Sequence, residues 1–503
     1  MSAPTSSTPA TTSVGNPSSE RGISGFISRF TVLKGATREL WLIFLIKFLS
    51  ITAYSITNKT FVLWLSSDFG YGDKSAVGMV GLWAMAMTGM TIMIGALADA
   101  IGLRKSLLLG MYICIIARVA MVFGNVKWLA LGVGLFPLAI GEALAGPILV
   151  AATRRYSTTA QRSISFSMLY MIMNLAFLTA GYVFDWLRSG LGEHGHFDLF
   201  GMHISTYRAL FLVSLGFEVA LLPITYCLRK NVEVTDEGCR INPEKPKYPG
   251  ASFLNSFWFA VRDSAKDTFN LFAGLLQQSA FYRLLAFLGF IGFLKIITVG
   301  MDYVFPKFGI RELGDGAPIG HLLNINNLMI VLLVPIFGAL TQRFAAYRMV
   351  IIGGTICAAS VFIMALPTNW FVPLANGAFG NFIHHRYLGM TGPVHPYYVM
   401  IAIYVIIFSV GEACYSPRVY EYAAAIAPKG QEASYSALSY IPLFLGKLLV
   451  ANTGFLLLKY CPENGPRNSG MMWLVFALCA TVAPIGLLTL RSLIRVREAG
   501  RES

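Results

Sequence analysis

The sequence predicts an all-α polytopic membrane protein: 12 transmembrane helices built as two related six-helix halves. Three observations predict this: an apolar composition beyond any soluble core, twelve apolar runs of spanning length, and a repeat relating the first six runs to the last six. Of 503 residues, 55% are hydrophobic and 13% charged, against roughly 25% charged in soluble proteins. Abundant Phe, Gly and Met suit helices that pack closely in lipid.

Residues 1–20 are rich in Ser, Thr and Pro without an apolar run, so residues 1–38 read as a disordered tail and pre-helix, not a signal peptide. The first span is then its own insertion signal. Apolar runs near the ~20 residues that cross a bilayer fall at 40–66, 76–98, 105–124, 128–152, 163–187, 207–228, 283–305, 322–343, 347–366, 396–420, 433–458 and 470–491. The expected divisions are 39–228 and 281–492 for the two bundles, 229–280 for a polar linker and 493–503 for a basic tail. Within the linker, Phe253, Phe257, Val261 and Phe269 among Arg262, Asp263 and Lys266 suit an amphipathic helix on the membrane surface.

Twelve spans put both termini on one side. With that side cytoplasmic, Arg104, Lys105, Arg154, Arg155, Arg343 and Arg348 and the basic runs of linker and tail are inside, leaving few basic residues outside. A net charge of +14 is thereby a topology signal and not a nucleic-acid footprint. The expected setting is the cell membrane, with a monomer in the bilayer. The seven cysteines are scattered, giving neither a disulfide framework nor a zinc site.

The repeat is specific. Gly95-Ala96-Leu97-Ala98-Asp99 at the end of span two recurs as Gly338-Ala339-Leu340-Thr341-Gln342 at the end of span eight, with Lys105 and Arg348 following at the same spacing. Gly141-Glu142-Ala143 with Pro147 recurs as Gly411-Glu412-Ala413 with Pro417; Gln161 and Tyr170 match Gln431 and Tyr440 at that offset. Repeats of six spans form a site near the midplane, between two rocking bundles.

The run from Gly95 through Asp99, Gly102, Arg104 and Lys105 resembles the gating motif between spans two and three of the major facilitator superfamily, which implies its fold. A narrower resemblance, to the proton-dependent oligopeptide transporters, rests on Asp302-Tyr303-Val304-Phe305-Pro306 through Arg311, Gly314 and Pro318, on Asn324, Asn326 and Pro335, and on Gly411-Glu412 through Ser416-Pro417. In that family the span-ten glutamate, here Glu412, is associated with the peptide's amino group. Departures are equally plain. The family's span-one Glu-x-x-Glu-Arg is replaced by Lys47-Phe48-Leu49-Ser50-Ile51; Tyr54 is kept, Asn58 followed by Lys59 stands where a substrate-contacting arginine is usual, and Gly146 replaces the span-four lysine.

A charge at mid-bilayer costs at least ~2.5 kcal/mol, so ionisable residues within spans are functional candidates with partners. Ten qualify: Lys47, Lys59, Arg118, Glu142, Glu218, Lys295, Asp302, Glu412, Glu421 and Lys447. Eight lie on spans that the resemblance places around a central cavity; Arg118 and Glu218, on spans three and six, do not. The candidate substrate and coupling residues are Glu142, Lys295, Glu412 and Lys447 near mid-span, with Tyr54, Asn58, Lys59, Asp302 and Tyr440. A glutamate can bind an amine or a proton, and a lysine can hold a carboxylate or phosphate. The same groups could instead latch the halves by ion pairs. Clustered histidines in the outer loops (His194, His196, His203, His384, His385 and His395) with His321 read as solvated, without the spacing of a metal site.

No Walker loop, metalloprotease helix or nucleophile elbow is present, so the expected activity is non-enzymatic and needs no cofactor. The leading expectation is a secondary active transporter moving a small polar solute, such as a short peptide or related metabolite, by alternating access, with protons as coupling ion by family analogy and Glu412 or Glu142 as carrier. The alternatives are a facilitator or exchanger for organic anions, favoured by Lys47, Lys59, Lys295 and Lys447, and a transporter-like ligand sensor or scaffold.

Overall fold

In hydrocarbon every backbone N–H and C=O must find its partner within the segment, so an apolar run of this length folds as a helix. The computed structural model describes residues 31–94, 102–199, 201–229, 276–341, 344–426 and 441–495, with short pieces between 232 and 274. Eleven of its helices are long and apolar enough to cross a membrane, and Asp73–Ile94 completes the twelve. They are α1 Arg38–Phe69, α2 Asp73–Ile94, α3 Leu103–Phe123, α4 Lys127–Arg155, α5 Thr159–Leu191, α6 Thr206–Tyr226, α7 Ser279–Tyr303, α8 Ile319–Leu340, α9 Ala346–Ile363, α10 Pro396–Ile426, α11 Ile441–Tyr460 and α12 Ser469–Thr489. Each begins or ends within a few residues of the apolar run that predicts it. α4 relaxes to π geometry over Ala130–Leu135.

Local signals set several boundaries. Gly70 ends α1 in the left-handed conformation (φ 67°), and Gly102 turns the chain into α3 at φ 91°, positions where a side chain would be strained. Thr158 and Gln161 form a reciprocal capping box at the start of α5. Two hairpins lie outside the spans: β1 His196–Leu199 with β2 Met202–Ser205, and β3 Val232–Thr235 with β4 Gly238–Ile241. The second stands within the linker, where only a helix was expected; its Val232 carbonyl accepts from Arg155 Nε at 2.9 Å. Of the expected amphipathic helix, most lies outside the described residues.

The packing repeats with the sequence. α3 packs on α4, α1 on α6, α3 on α6, α1 on α5 and α2 on α4; in the second half α9 packs on α10, α7 on α12, α9 on α12, α7 on α11 and α8 on α10. One contact shows the detail. A Cβ on Gly141 would meet the Gly110 carbonyl and the Cys114 thiol, and a Cβ on Gly411 would meet the Gly353 carbonyl at 2.7 Å and the Cys357 thiol at 2.6 Å. Both sites are the same Gly-x-x-x-Cys ridge seated on the glycine before a glutamate; the ridge recurs at the offset that relates Gly95 to Gly338, the seated glycine at the offset that relates Gln161 to Gln431.

Across the halves, α5 packs on α8 and α2 on α11. Gly320 lies directly on the Gly181 carbonyl, and Gly81 on Ala451. One buried apolar cluster runs through the second half and into the far end of the first, whereas a separate cluster, Leu33 to Val232, fills the first half near the chain ends. The halves are thus joined at the end of the bundle opposite the termini, here called distal.

Gly411→Ala should lower the protein's melting temperature, because the added methyl meets the Gly353 carbonyl and the Cys357 backbone N as well as the Cys357 thiol, an overpacking cost of about 1–3 kcal/mol. Gly289→Ala, which has open space around it, should leave the melting temperature unchanged. Equal melting curves for the two variants would refute the close seat of α9 on α10.

Candidate functional site

The intramembrane charges fall into three groups. The first spans the seam between halves. Asp302 at the end of α7 accepts from Lys59 Nζ at 3.3 Å and from Asn58 Nδ2 at 3.1 Å, both on α1, and the Tyr303 hydroxyl donates to Asn58 Oδ1 at 3.0 Å. Three of the sequence-predicted positions, Asn58, Lys59 and Asp302, thereby meet at one crossing. Tyr54, one helical turn from Asn58, faces the Trp83 ring with centroids 6.5 Å apart. Lys447 of α11 is buried against α2, donating to Thr88 Oγ1 at 2.9 Å and to the Ala84 carbonyl at 3.3 Å. It has no carboxylate partner among the described residues.

The second group lies within the second half. Lys295 Nζ stands 4.0 Å from Glu412 Oε1, too far for a tight hydrogen bond, and 5.2 Å from the Tyr415 ring centroid. Asn326 of α8 donates to Glu412 Oε2 at 3.1 Å and to Ser409 Oγ at 3.0 Å. The side chains of Lys295 and Glu412 retain 18% and 11% exposure and that of Asp302 36%.

The third group corrects an expectation. Glu142 does not face the seam: it turns into its own bundle and meets Arg118 Nη2 at 2.6 Å. Arg118, wholly buried, also lies 3.4 Å from Glu218 and donates from Nε to Ser214 Oγ at 2.7 Å, and Ser214 in turn shares a 2.7 Å hydrogen bond with Thr57 of α1. Of the two residues set aside as exceptions, Arg118 is therefore Glu142's partner, and Glu218 shares that guanidinium. The repeat matches Glu142 with Glu412 but does not fix which neighbour each meets. At the position corresponding to Arg118, α9 carries buried Val361, so Glu412 finds its cation on α7.

Of the gating motif, Gly102, Arg104 and Lys105 are among the described residues. Arg104 Nη2 donates to the Tyr226 carbonyl at 2.8 Å at the end of α6, where the helix dipole favours a cation, and Lys105 is exposed. Gly95, Asp99 and Tyr440 lie outside the described residues, as does the side chain of Glu421.

Sequence reasoning missed the distal seal. Asp73, first residue of α2, accepts from Arg311 at 2.7 and 2.9 Å and pairs with Lys307, both on the short helix Phe305–Leu313 after α7. Burial pulls the Lys307 ammonium below its ordinary value, a shift that Asp73 beside it partly offsets. On the other flank Asp185 of α5 caps the first turn of α8, accepting from the Gly320 N–H at 2.9 Å, the His321 N–H at 2.6 Å and His321 Nδ1 at 2.6 Å. Arg188 pairs with Glu193 and donates to the Ala317 carbonyl at 3.3 Å. His321 is thus a seam residue and not a solvated one. His384 is also buried, and burial with the His385 charge beside it holds its imidazole below the usual value. Each acid and its cross-half partner are more than a hundred residues apart; an acid and a base in loops on the same side were the only signal available.

Two six-helix bundles, sealed at one end by ion pairs and carrying charge on the walls behind the seal, define a membrane transporter of small solutes. The chain belongs to the major facilitator superfamily, whose family model matches residues 43–384. No curated protein matches it in sequence. Its fold is that of the POT transporters. A POT family transporter in complex with 5-aminolevulinic acid superposes with a TM-score of 0.67 at 14% identity, over 91% of this chain and 97% of that one. Another, bound to a thioalcohol conjugated peptide, gives 0.67 at 15% identity over 91% and 97%. The peptide transporter POT in complex with sulfate gives 0.62 at 17% identity over 94% and 96%.

Asp73→Asn should loosen the distal seal, since it leaves Lys307 and Arg311 facing each other with no carboxylate between them. Removing one partner of a buried pair costs about 3–5 kcal/mol, enough to shift a two-state population by more than a hundredfold. Spin labels at Lys74 and Asn452, on the distal ends of α2 and α11, should move apart in the variant. An unchanged distance distribution would show that the seal does not depend on this pair.

Proposed function

We propose that this protein is a secondary active transporter of a small zwitterion, a short peptide or an amino acid of similar length, with Lys295 and Glu412 holding its opposite ends. The observation that carries the reading is the loose Lys295–Glu412 pair. At 4.0 Å and partly exposed, the two groups neutralise each other when empty yet remain free to take a carboxylate on Lys295 and an amine on Glu412. Asn326 fixes the carboxylate of Glu412 from α8, and Tyr415 supplies a ring beside the ammonium. One POT family transporter of this fold is found in complex with 5-aminolevulinic acid, which carries both an amine and a carboxylate, and another with a thioalcohol conjugated peptide, which supports the same class here. Lys59, Asn58 and Asp302 link α1 to α7 behind the distal seal, and Tyr54 lines the route between them.

Protons are the proposed coupling ion, and the Glu142–Arg118–Glu218 cluster is their proposed carrier. Two carboxylates share a single guanidinium in a water-poor site, so the fully ionised set would bury a net negative charge. Retaining one proton removes that cost. The cluster joins α3, α4 and α6 and reaches α1 through Ser214 and Thr57, the helix whose Asn58 and Lys59 contact the second half. Gain or loss of the proton is thereby tied to α1. The distribution of basic residues supports a reading with the termini in the cytoplasm of a monomer in the cell membrane; in that reading the distal seal closes the outer side.

In proteoliposomes, Glu412→Gln and Lys295→Gln should each reduce uptake of dialanine and 5-aminolevulinic acid at least tenfold while the melting temperature stays near wild type. Full uptake by either variant would remove the pair from the site. Glu142→Gln and Glu218→Gln should instead abolish accumulation driven by an inward proton gradient but preserve exchange of labelled for unlabelled solute. Accumulation at the wild-type level with both carboxylates replaced would dismiss protons carried there.

A further inference from the structure

At the end of the bundle where the chain termini lie, α9 begins and α12 ends side by side, and between them is a cavity of about 320 Å³. Three arginines border it: Arg348 in the first turn of α9, and Arg491 and Arg495 just beyond α12. None of the three has an ion pair among the described residues, and no carboxylate lines the cavity. The rest of the lining is apolar, with Ile351, Ile352 and Leu488 continuing up the lipid-facing side; Ile352 and Leu488 are half-exposed.

The cavity is held in shape. The Tyr347 hydroxyl donates to the Leu487 carbonyl at 2.5 Å, tying the start of α9 to the end of α12, and the Tyr422 hydroxyl donates to the Ile494 carbonyl at 2.9 Å. The two tyrosine rings lie 5.3 Å apart. Between them these bonds fix the segment that carries Arg491 and Arg495. Snorkelling alone would spread the guanidiniums into water without a pocket between them.

We propose that this cavity binds the headgroup of an anionic phospholipid. Its phosphate sits among Arg348, Arg491 and Arg495 at the positive end of α9, and an acyl chain lies along Ile351, Ile352 and Leu488. Guanidiniums recognise phosphate through paired hydrogen bonds, and basic pockets between spans at the membrane surface suit anionic headgroups. A soluble phosphate offers the same anion but leaves the apolar wall uncovered. The lipid bridges α9 and α12, so its binding stabilises the second half.

The test is native mass spectrometry with thermal unfolding of the purified protein in detergent, with added phosphatidylglycerol, phosphatidylcholine or inorganic phosphate. Phosphatidylglycerol should bind and raise the melting temperature, and phosphatidylcholine should do neither. The Arg348→Gln, Arg491→Gln, Arg495→Gln triple variant should bind phosphatidylglycerol at least tenfold more weakly, the corresponding lysine variant should retain part of the affinity, and Arg154→Gln, on the other half, should bind as wild type. Equal binding by wild type and the glutamine triple variant would overturn the proposal. So would an equal loss in Arg154→Gln, which would mean diffuse surface charge, or equal stabilisation by inorganic phosphate, which would make the ligand a free anion. If the glutamine variant unfolds, the lysine and Arg154→Gln variants still decide it.

Discussion

The structure is organised by the cost of holding a charge in a medium that cannot hydrate it. Each ionic side chain kept within the bilayer must find an opposite charge, a backbone carbonyl or water. Arg118 takes two glutamates and a serine, Asp302 takes a lysine and an asparagine, and Lys447 takes a hydroxyl and a carbonyl. Which helix supplies the partner decides what the pair does. Partners within one half, as for Arg118, hold that half together through any rearrangement. Partners on the other half, as for Asp302, Asp73 and Asp185, exist in one arrangement only and so report it.

The internal repeat sets the frame, and its departures locate the chemistry. The Gly-x-x-x-Cys ridge against Gly141 and its counterpart against Gly411 keep two pairs of helices equally close. Upon that shared frame the first half places Arg118 where the second places Val361. One glutamate of the repeat thereby pairs with an arginine inside its own bundle, while the other stands beside a lysine of α7. Two carboxylates alike in sequence thus acquire different cationic neighbours, an arginine of the same half on α3 for one and a lysine on α7 for the other.

The architecture was legible in the sequence because hydrophobic length and the repeat are properties of single segments. Twelve runs gave twelve helices, and Gly102 stood at the turn its residue type demands. Lys59 and Asp302 were legible as candidates because lipid makes any ionic residue conspicuous, and Asn58 because it stands where the resemblance expects an arginine. Helix rotation was not. Glu142 was expected at the seam, and only the placement of Arg118 and Glu218 on its neighbours turns it inward. The distal seal was hidden for a different reason. Asp73, Asp185, Lys307 and Arg311 stand near the ends of spans, where a charge is ordinary, and their pairing depends on how the halves tilt. The linker hairpin was hidden because its strands are four residues each, shorter than any pattern that alternation can establish.

A seal that must open has to be strong in sum and weak in its parts. Here the seam combines small-residue contacts, Gly181 on Gly320 and Gly81 on Ala451, with ion pairs at the distal surface. Glycine and alanine bring backbones close but bury little side-chain area, so parting them forfeits little of the roughly 25 cal/mol per Å² that apolar burial supplies. The ion pairs behave likewise: when water enters from the distal side, Asp73, Lys307, Arg311 and Asp185 exchange protein partners for hydration, recovering the desolvation cost that closure imposed. Deeper in, Lys447 with Thr88, buried between α2 and α11, cannot be hydrated until the outer contacts part. The order of opening therefore follows from depth: the surface pairs yield first and admit the water that lets the buried ones separate. A solute or proton that alters the deeper groups can bias that sequence while leaving the cores of both halves intact.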